Sequence, residues 1–220
     1  MASGYTKAAD LPAIIPVFPL DGALLLPHGE LPLNIFEPRY LNMIDDALAG
    51  ERIIGMVQTV AGGTRERPAL ARVGCAGRIT SFSETGDGRY LISLTGLARF
   101  GVERELLTPT PYRQIAADFA RFEADLAPPG VDEGFDSMPF LSALKSYLDA
   151  RHMEIDWETA REAPCEALVN SLAMALPFDA VEKQALLEAP TATERRCALI
   201  ALLEIDAAGP QDDDAPPALQ

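Results

Sequence analysis

Residues 31–40, Leu-Pro-Leu-Asn-Ile-Phe-Glu-Pro-Arg-Tyr, constrain the fold more than any other part of the chain. Leu31, Leu33 and Ile35 alternate with Pro32, Asn34 and Phe36, the period of a short buried strand. Pro38 follows where a first helical residue is favoured, because its missing N–H is not needed there. Tyr40, Leu41, Ile44, Ala47 and Leu48 then recur on one helical face as far as Gly50, a natural stop. A strand that runs directly into a helix is expected.

The rest of the first half reads as β-rich. Residues 14–19, 24–26, 52–59, 73–84, 89–95, 98–106 and 112–119 are strand candidates, and 61–68 reads as an exposed loop. Thr85-Gly86-Asp87-Gly88 is the clearest hairpin turn, since glycine allows the positive φ of a tight return. Several strands and one helix in such a span suggest a closed or nearly closed barrel, which removes exposed edges.

The second half changes period. Pro128, Pro129, Gly130 and Gly134 mark a linker over 123–136. Four helices are expected after it. Phe140, Leu141, Leu144 and Leu148 line the first, and 157–175 forms the second, adjusted near Pro164. Asp179 with Glu182 and Thr191 with Glu194 have capping-box spacing and open the third and fourth. Leu199, Ile200, Leu202, Leu203 and Ile205 make the fourth apolar on more than one side, so a central place is expected for it. The expected organisation is a flexible 1–12, a β-barrel domain 13–122, the linker, a helical bundle 137–206 and a disordered acidic, Pro-rich tail 207–220.

Composition excludes some functions. At 48% hydrophobic residues the chain can bury a real core. No apolar run reaches the roughly 18 residues of a membrane span, and 1–10 lacks the apolar core of a secretory signal, so a cytoplasmic protein is expected. Cys75, Cys165 and Cys197 are odd in number and widely spaced, which suits small buried thiols better than a disulfide or reactive set. The net charge of -15 opposes phosphate-backbone binding and docking on anionic lipid.

In order along the chain stand Phe18-Pro19-Leu20, Leu26-Pro27, the 31–40 segment, Ile54-Gly55-Met56 and Val73-Gly74-Cys75-Ala76-Gly77-Arg78-Ile79. Gly88-Arg89-Tyr90, Gly96 with Arg99-Phe100, Tyr112, Leu168-Val169-Asn170, Leu176-Pro177-Phe178 and Glu182-Lys183-Gln184 follow. This series resembles the amino-terminal, substrate-binding domain family of Lon proteases over most of 13–206. His28 departs from it, since relatives often carry Gly after the proline. The resemblance implies an α+β fold, a PUA-like β pseudo-barrel with one helix followed by a four-helix bundle. It also implies capture of substrate proteins, with the ATPase and peptidase belonging to other domains. No G-x-x-x-x-G-K-[ST] phosphate loop occurs, so a free-standing binding domain is expected.

Catalytic motifs are thin. Ser142-Ala143-Leu144-Lys145 matches S-x-x-K but has no companion S-D-N or K-T-G, and reads as a solvated helical face. His28-Gly29-Glu30 resembles the H-x-E of zinc deaminases, yet Pro164-Cys165 has no second cysteine at C-x-x-C spacing. No metal, cofactor or catalytic residue is assigned. Trp157, the lone tryptophan, reads as packing between bundle and linker rather than a ligand platform.

Phe36, Glu37, Arg39, Tyr40, Arg78 and Arg89 form the candidate peptide-binding set: guanidinium forks for carboxylates or carbonyls, and aromatic area beside them. The plainer alternative has Arg39 paired inside the fold and Tyr40 packing the barrel mouth, and Arg78, Arg89, Tyr90, Arg99 and Phe100 face the same choice. The expected function is non-enzymatic binding of unfolded or extended protein segments between barrel and bundle, in part by adding a strand to an open edge. An adaptor for a protease or chaperone in protein quality control fits that role. RNA binding by a PUA-like barrel and hydrolysis are the alternatives; charge opposes the first and the missing motifs the second.

Overall fold

The computed structural model describes residues 4–128 and 137–209. Its longest strands, β6 (Val73–Glu84) and β7 (Tyr90–Leu106), are joined by the expected turn, where Gly88 has φ +80° and donates its N–H to the Thr85 carbonyl at 3.0 Å. They stay in antiparallel register from Glu84↔Tyr90 to Val73↔Gly101, with bulges at 76/77 and 79/81 that bend the pair. Beside them lie β1 (Ile14–Pro19), β2 (Glu30–Ile35), β3 (Ile53–Val57) and β8 (Arg113–Asp118). The sheet order is β2-β7-β6-β3-β1-β8, and β8 also pairs with β7, so five strands form a ring and β2 hangs outside it. The β1–β3 pair is parallel and the others are antiparallel. Its crossover holds β2 and the helix α1 (Pro38–Ala49), with Pro38 at the first position as expected.

The segment 90–95 of β7 leaves the ring and carries β2 on one side and the distal part of β6 on the other. These three segments form a three-stranded arm. The strands expected at 89–95 and 98–106 are thus one strand. Gly96 is no break; a Cβ there would run into the Leu26 carbonyl, and glycine lets the 24–29 loop lie against the strand. His28 N–H donates to Gly96 O at 3.0 Å and Gly96 N–H to Gly29 O at 2.8 Å.

Two further expectations are corrected. Residues 24–26 form no strand: Leu24, Leu25 and Leu26 are all buried, a run without alternation that fills the core as a loop. The expected loop at 61–68 falls within a small hairpin, β4 (Thr59–Gly63) with β5 (Pro68–Leu70), where Gly62 and Gly63 take the positive φ that bulges the pair. It remains largely exposed.

Beyond the ring, a 3-10 helix, Ala120–Leu126, occupies the start of the expected linker, and its Phe122 is buried. The remainder of that linker, 129–136, lies outside the described residues, as does most of the acidic tail. Five helices follow rather than four: α2 (Ser137–Arg151), α3 (Trp157–Glu162), α4 (Cys165–Ala175), α5 (Ala180–Glu188) and α6 (Ala192–Ala208). Pro164 cuts the expected second helix into α3 and α4, because its ring cannot continue a helical ladder. Both capping boxes close: Glu182 N–H reaches Asp179 at 2.8 Å and Glu194 N–H reaches Thr191 at 3.1 Å. Helix α6 touches α2, α4 and α5 through a fully buried Leu199 and Leu203, although Ile205 is exposed.

One apolar cluster runs through both halves, from Leu24, Ile35 and Ile44 to Phe140, Leu172 and Leu199. A second fills the ring, around Ile15, Val17, Phe100, Ile115 and Phe119. The strand and helix halves therefore share a core, and the seam between them decides what surface is left open.

Candidate functional site: the seam between strands and helices

The residues singled out in sequence divide into three places. Phe36 is 63% exposed at the end of the arm, and the Arg89 guanidinium stands 5.9 Å from its ring centre. Arg89 also pairs with Asp87 at 3.0 Å. Glu37 pairs with Arg39 at 2.8 Å, at the surface rather than inside the fold. Tyr40 belongs to the core: its ring centre is 4.2 Å from that of Phe18, and burial pushes its phenol above its ordinary range. Arg78 is half-buried, in register with Thr95, which is itself opposite Glu30. Glu30 and Ile35 are five residue steps apart along β2, roughly 17 Å of strand, so Arg78 lies at the far end of the arm from Phe36. The structure thus brings Phe36 to Arg89 and Glu37 to Arg39, and keeps Arg78 apart.

Arg99 is wholly internal. Its Nε and Nη2 each donate to Asp125 at 2.8 Å, and Nη1 donates to the carbonyls of Leu187 at 3.1 Å and Ala189 at 2.6 Å. The group also stands 4.7 Å from the Phe122 ring centre. A single side chain from the ring thereby ties the 3-10 helix to the end of α5. Such a buried pair tolerates loss of neither partner.

Asn170 makes a second tie. Its amide donates to the Pro27 carbonyl at 3.0 Å and its oxygen accepts from Arg195 Nη1 at 3.1 Å. Arg195 Nε donates to Leu186 O at 2.9 Å. Burial, reinforced by the charge of Arg99, lowers the Arg195 pKa to about 10. Cys75 is also buried, and desolvation pushes its thiol far up, away from nucleophilic use; Cys165 is half-buried and Cys197 exposed, unlike the buried thiols expected.

The seam opens where residues 27–29 and the start of β2 face α4. A groove of about 430 Å³ lies there, lined by Leu31, Pro32, Ala167, Met174 and Ala175, with His28, Glu30, Glu166 and Ser171 adding polar groups. Its walls are set by the ties just described and by Gly29, at which a Cβ would meet the Met174 sulfur at 2.5 Å. His28 has φ +63°, in the left-handed region that favours glycine. The sequence reading placed binding between barrel and bundle, and a lone Asn170 on an otherwise apolar helix face is a local signal of a specific buried partner at that seam. Met174, Leu31 and Glu166 carried no such signal.

The outer edge of β2 is blunted. Pro32 has no N–H to offer, and Glu30 places a charge on the same edge, both devices that discourage strand addition. Side chains, more than a main-chain ladder, are what this edge presents.

A second hollow, about 470 Å³, lies on the helices between α2 and α3, lined by Met138, Leu141, Ser142, Lys145, Trp157 and Arg161. Trp157 is half-buried and packs against the core. Ser142 and Lys145 are exposed on α2 with no acid-base partner between them. Among the described residues no three His, Cys, Asp or Glu side chains are grouped to hold a metal, and no helix is long and apolar enough to cross a membrane.

This arrangement of strands and helices has counterparts among solved structures. It is similar to a Lon N-terminal domain protein from Xanthomonas campestris (TM-score 0.60, 22% identity, 86% of this chain and 97% of that one). It is also similar to the N-terminal domain of the Mycobacterium avium complex Lon protease (TM-score 0.59, 18% identity, 89% and 98%). In sequence, the substrate-binding domain of ATP-dependent protease La (Lon) matches residues 14–204, and the chain belongs to that family. A Lon protease of Anaeromyxobacter dehalogenans is 35% identical over 118 residues, 52% of this chain and 13% of that protein. Lon protease 2 of Myxococcus xanthus is 31% identical over 118 residues, 52% and 14%. The match therefore spans a small fraction of those relatives' length.

Proposed function

We propose that this chain is a recognition module that holds extended, apolar segments of other proteins without cleaving them. The open groove between residues 27–32 and α4 carries the reading: an apolar floor on the seam between strands and helices, in a family of substrate-binding domains. An extended segment would seat apolar side chains on Leu31, Pro32 and Met174. It would then follow the outward face of β2 past Asn34 to Phe36 and Arg89, where a guanidinium and an exposed ring meet. Glu37 and Arg39 would border that end, while Tyr40 and Arg78 would act from within the fold. The strand ring is read as a PUA-like pseudo-barrel with the helices as its companion bundle. The module would serve in the cytoplasm as an adaptor delivering clients to a protease or chaperone.

The test is fluorescence anisotropy of a labelled, permanently unfolded polypeptide titrated with the chain. Saturable binding, competed by short apolar peptides and weakened at least about tenfold by Met174→Asp in a still-folded variant, is the expected result. No binding at high micromolar concentration, or binding indifferent to Met174→Asp, would defeat the reading.

A further inference from the structure

Glu30 and Glu166 face each other's side of the same groove, one on the strand wall and one on α4. Neither makes an ion pair with any described residue, whereas Arg99 is paired with Asp125 and Arg113 with Glu105. Arg195, whose charge Glu166 does feel, is buried and bonded to Asn170. The groove thus has an apolar floor and an acidic rim, in a chain whose net charge is already -15. A carboxylate that lacks a cation in a concave site presents its field to whatever enters, and the low-dielectric walls concentrate that field.

We infer that the groove selects apolar segments flanked by lysine or arginine, Glu30 and Glu166 supplying the discrimination. This rests on the substrate-binding reading above and names its substrate class. Complementary charge of this kind adds more to selectivity and encounter rate than to bulk affinity. Segments flanked by aspartate or glutamate are disfavoured by like charge, and neutral ones fall between.

Three labelled peptides separate the outcomes: one apolar core of five residues flanked by two lysines, by two glutamines or by two glutamates. Titrated at low salt, the lysine peptide should bind roughly five- to tenfold tighter than the glutamine peptide, and the preference should shrink as salt rises. Glu30→Gln with Glu166→Gln should bring the lysine-to-glutamine ratio close to one. Glu154→Gln with Glu204→Gln removes the same charge from residues that do not line the groove, and should leave the ratio as it was. If all three peptides bind alike, or if the preference survives the groove pair and falls with the other pair, the inference fails while the substrate-binding reading stands. If none of the three peptides binds, both fail.

Discussion

The seam between strands and helices is closed at one end and open at the other, and the two ends treat charge in opposite ways. At the closed end Arg99 has a carboxylate and three carbonyls around it, all within 3.3 Å. At the open end Glu30 and Glu166 border an apolar groove with no ion-pair partner among the described residues. Buried charge that is fully partnered holds parts together; exposed charge left unpartnered is free to act on something else. One end is therefore read as structure and the other as function.

The contrast breaks most sharply at Arg99. Arg99→Met should cost about 3–5 kcal/mol in urea unfolding, because it leaves the Asp125 carboxylate buried without its partner. Adding Asp125→Leu should recover a good part of that loss, since an apolar pair demands no compensation; no recovery would mean that the carbonyl contacts, rather than the ion pair, dominate.

Asn170→Ala comes next, at about 2 kcal/mol. It deprives both the Pro27 carbonyl and Arg195 of a partner, and hydrogen exchange should quicken over residues 27–32 before it does in the ring.

An alkaline titration sharpens the comparison further. The Tyr112 hydroxyl donates to Asp46 at 2.6 Å, and burial followed by that carboxylate raises its pKa from 10.0 to about 12. The folded state holds this proton more tightly than the unfolded one. Its contribution is whole below about pH 10 and is lost as pH climbs to about 12. Stability measured across that window should fall less steeply in Tyr112→Phe; an unchanged slope would assign the loss to Tyr40, Tyr90 or Tyr147, whose phenols are also raised.

The smallest effect belongs to the groove. Glu30→Gln with Glu166→Gln should leave unfolding free energy within about 0.5 kcal/mol of the parent, since neither carboxylate holds a pair. A large loss would show that these carboxylates are structural after all.

Much of the fold could be read from local chemistry. The strand-to-helix junction at Pro38, the Gly88 turn and the two capping boxes are self-contained signals, each satisfied by residues within a few positions. What escaped depends on distant neighbours. Leu24, Leu25 and Leu26 looked like a strand until the core shared by both halves buried all three, and 89–95 and 98–106 looked like two strands although the 24–29 loop packs on Gly96 in one continuous strand. The candidate site suffered most from the same cause. Tyr40 and Arg99 carry side chains suited to recognition, but their partners, Phe18 and Asp125, come from elsewhere in the chain and draw them inward. Met174 and Leu31 look like ordinary core residues in sequence, and only the opening between β2 and α4 makes them the lining of a groove.

The most direct measurement is site-specific photo-crosslinking. A benzophenone side chain placed at Ser171, on the groove, and at Ser142, on α2, is irradiated with an unfolded polypeptide, and the adducts are mapped by mass spectrometry. The account predicts adducts from Ser171 on apolar stretches of the polypeptide, suppressed by competing apolar peptide, and few from Ser142. Equal labelling from both positions, or labelling from Ser142 alone, would contradict it.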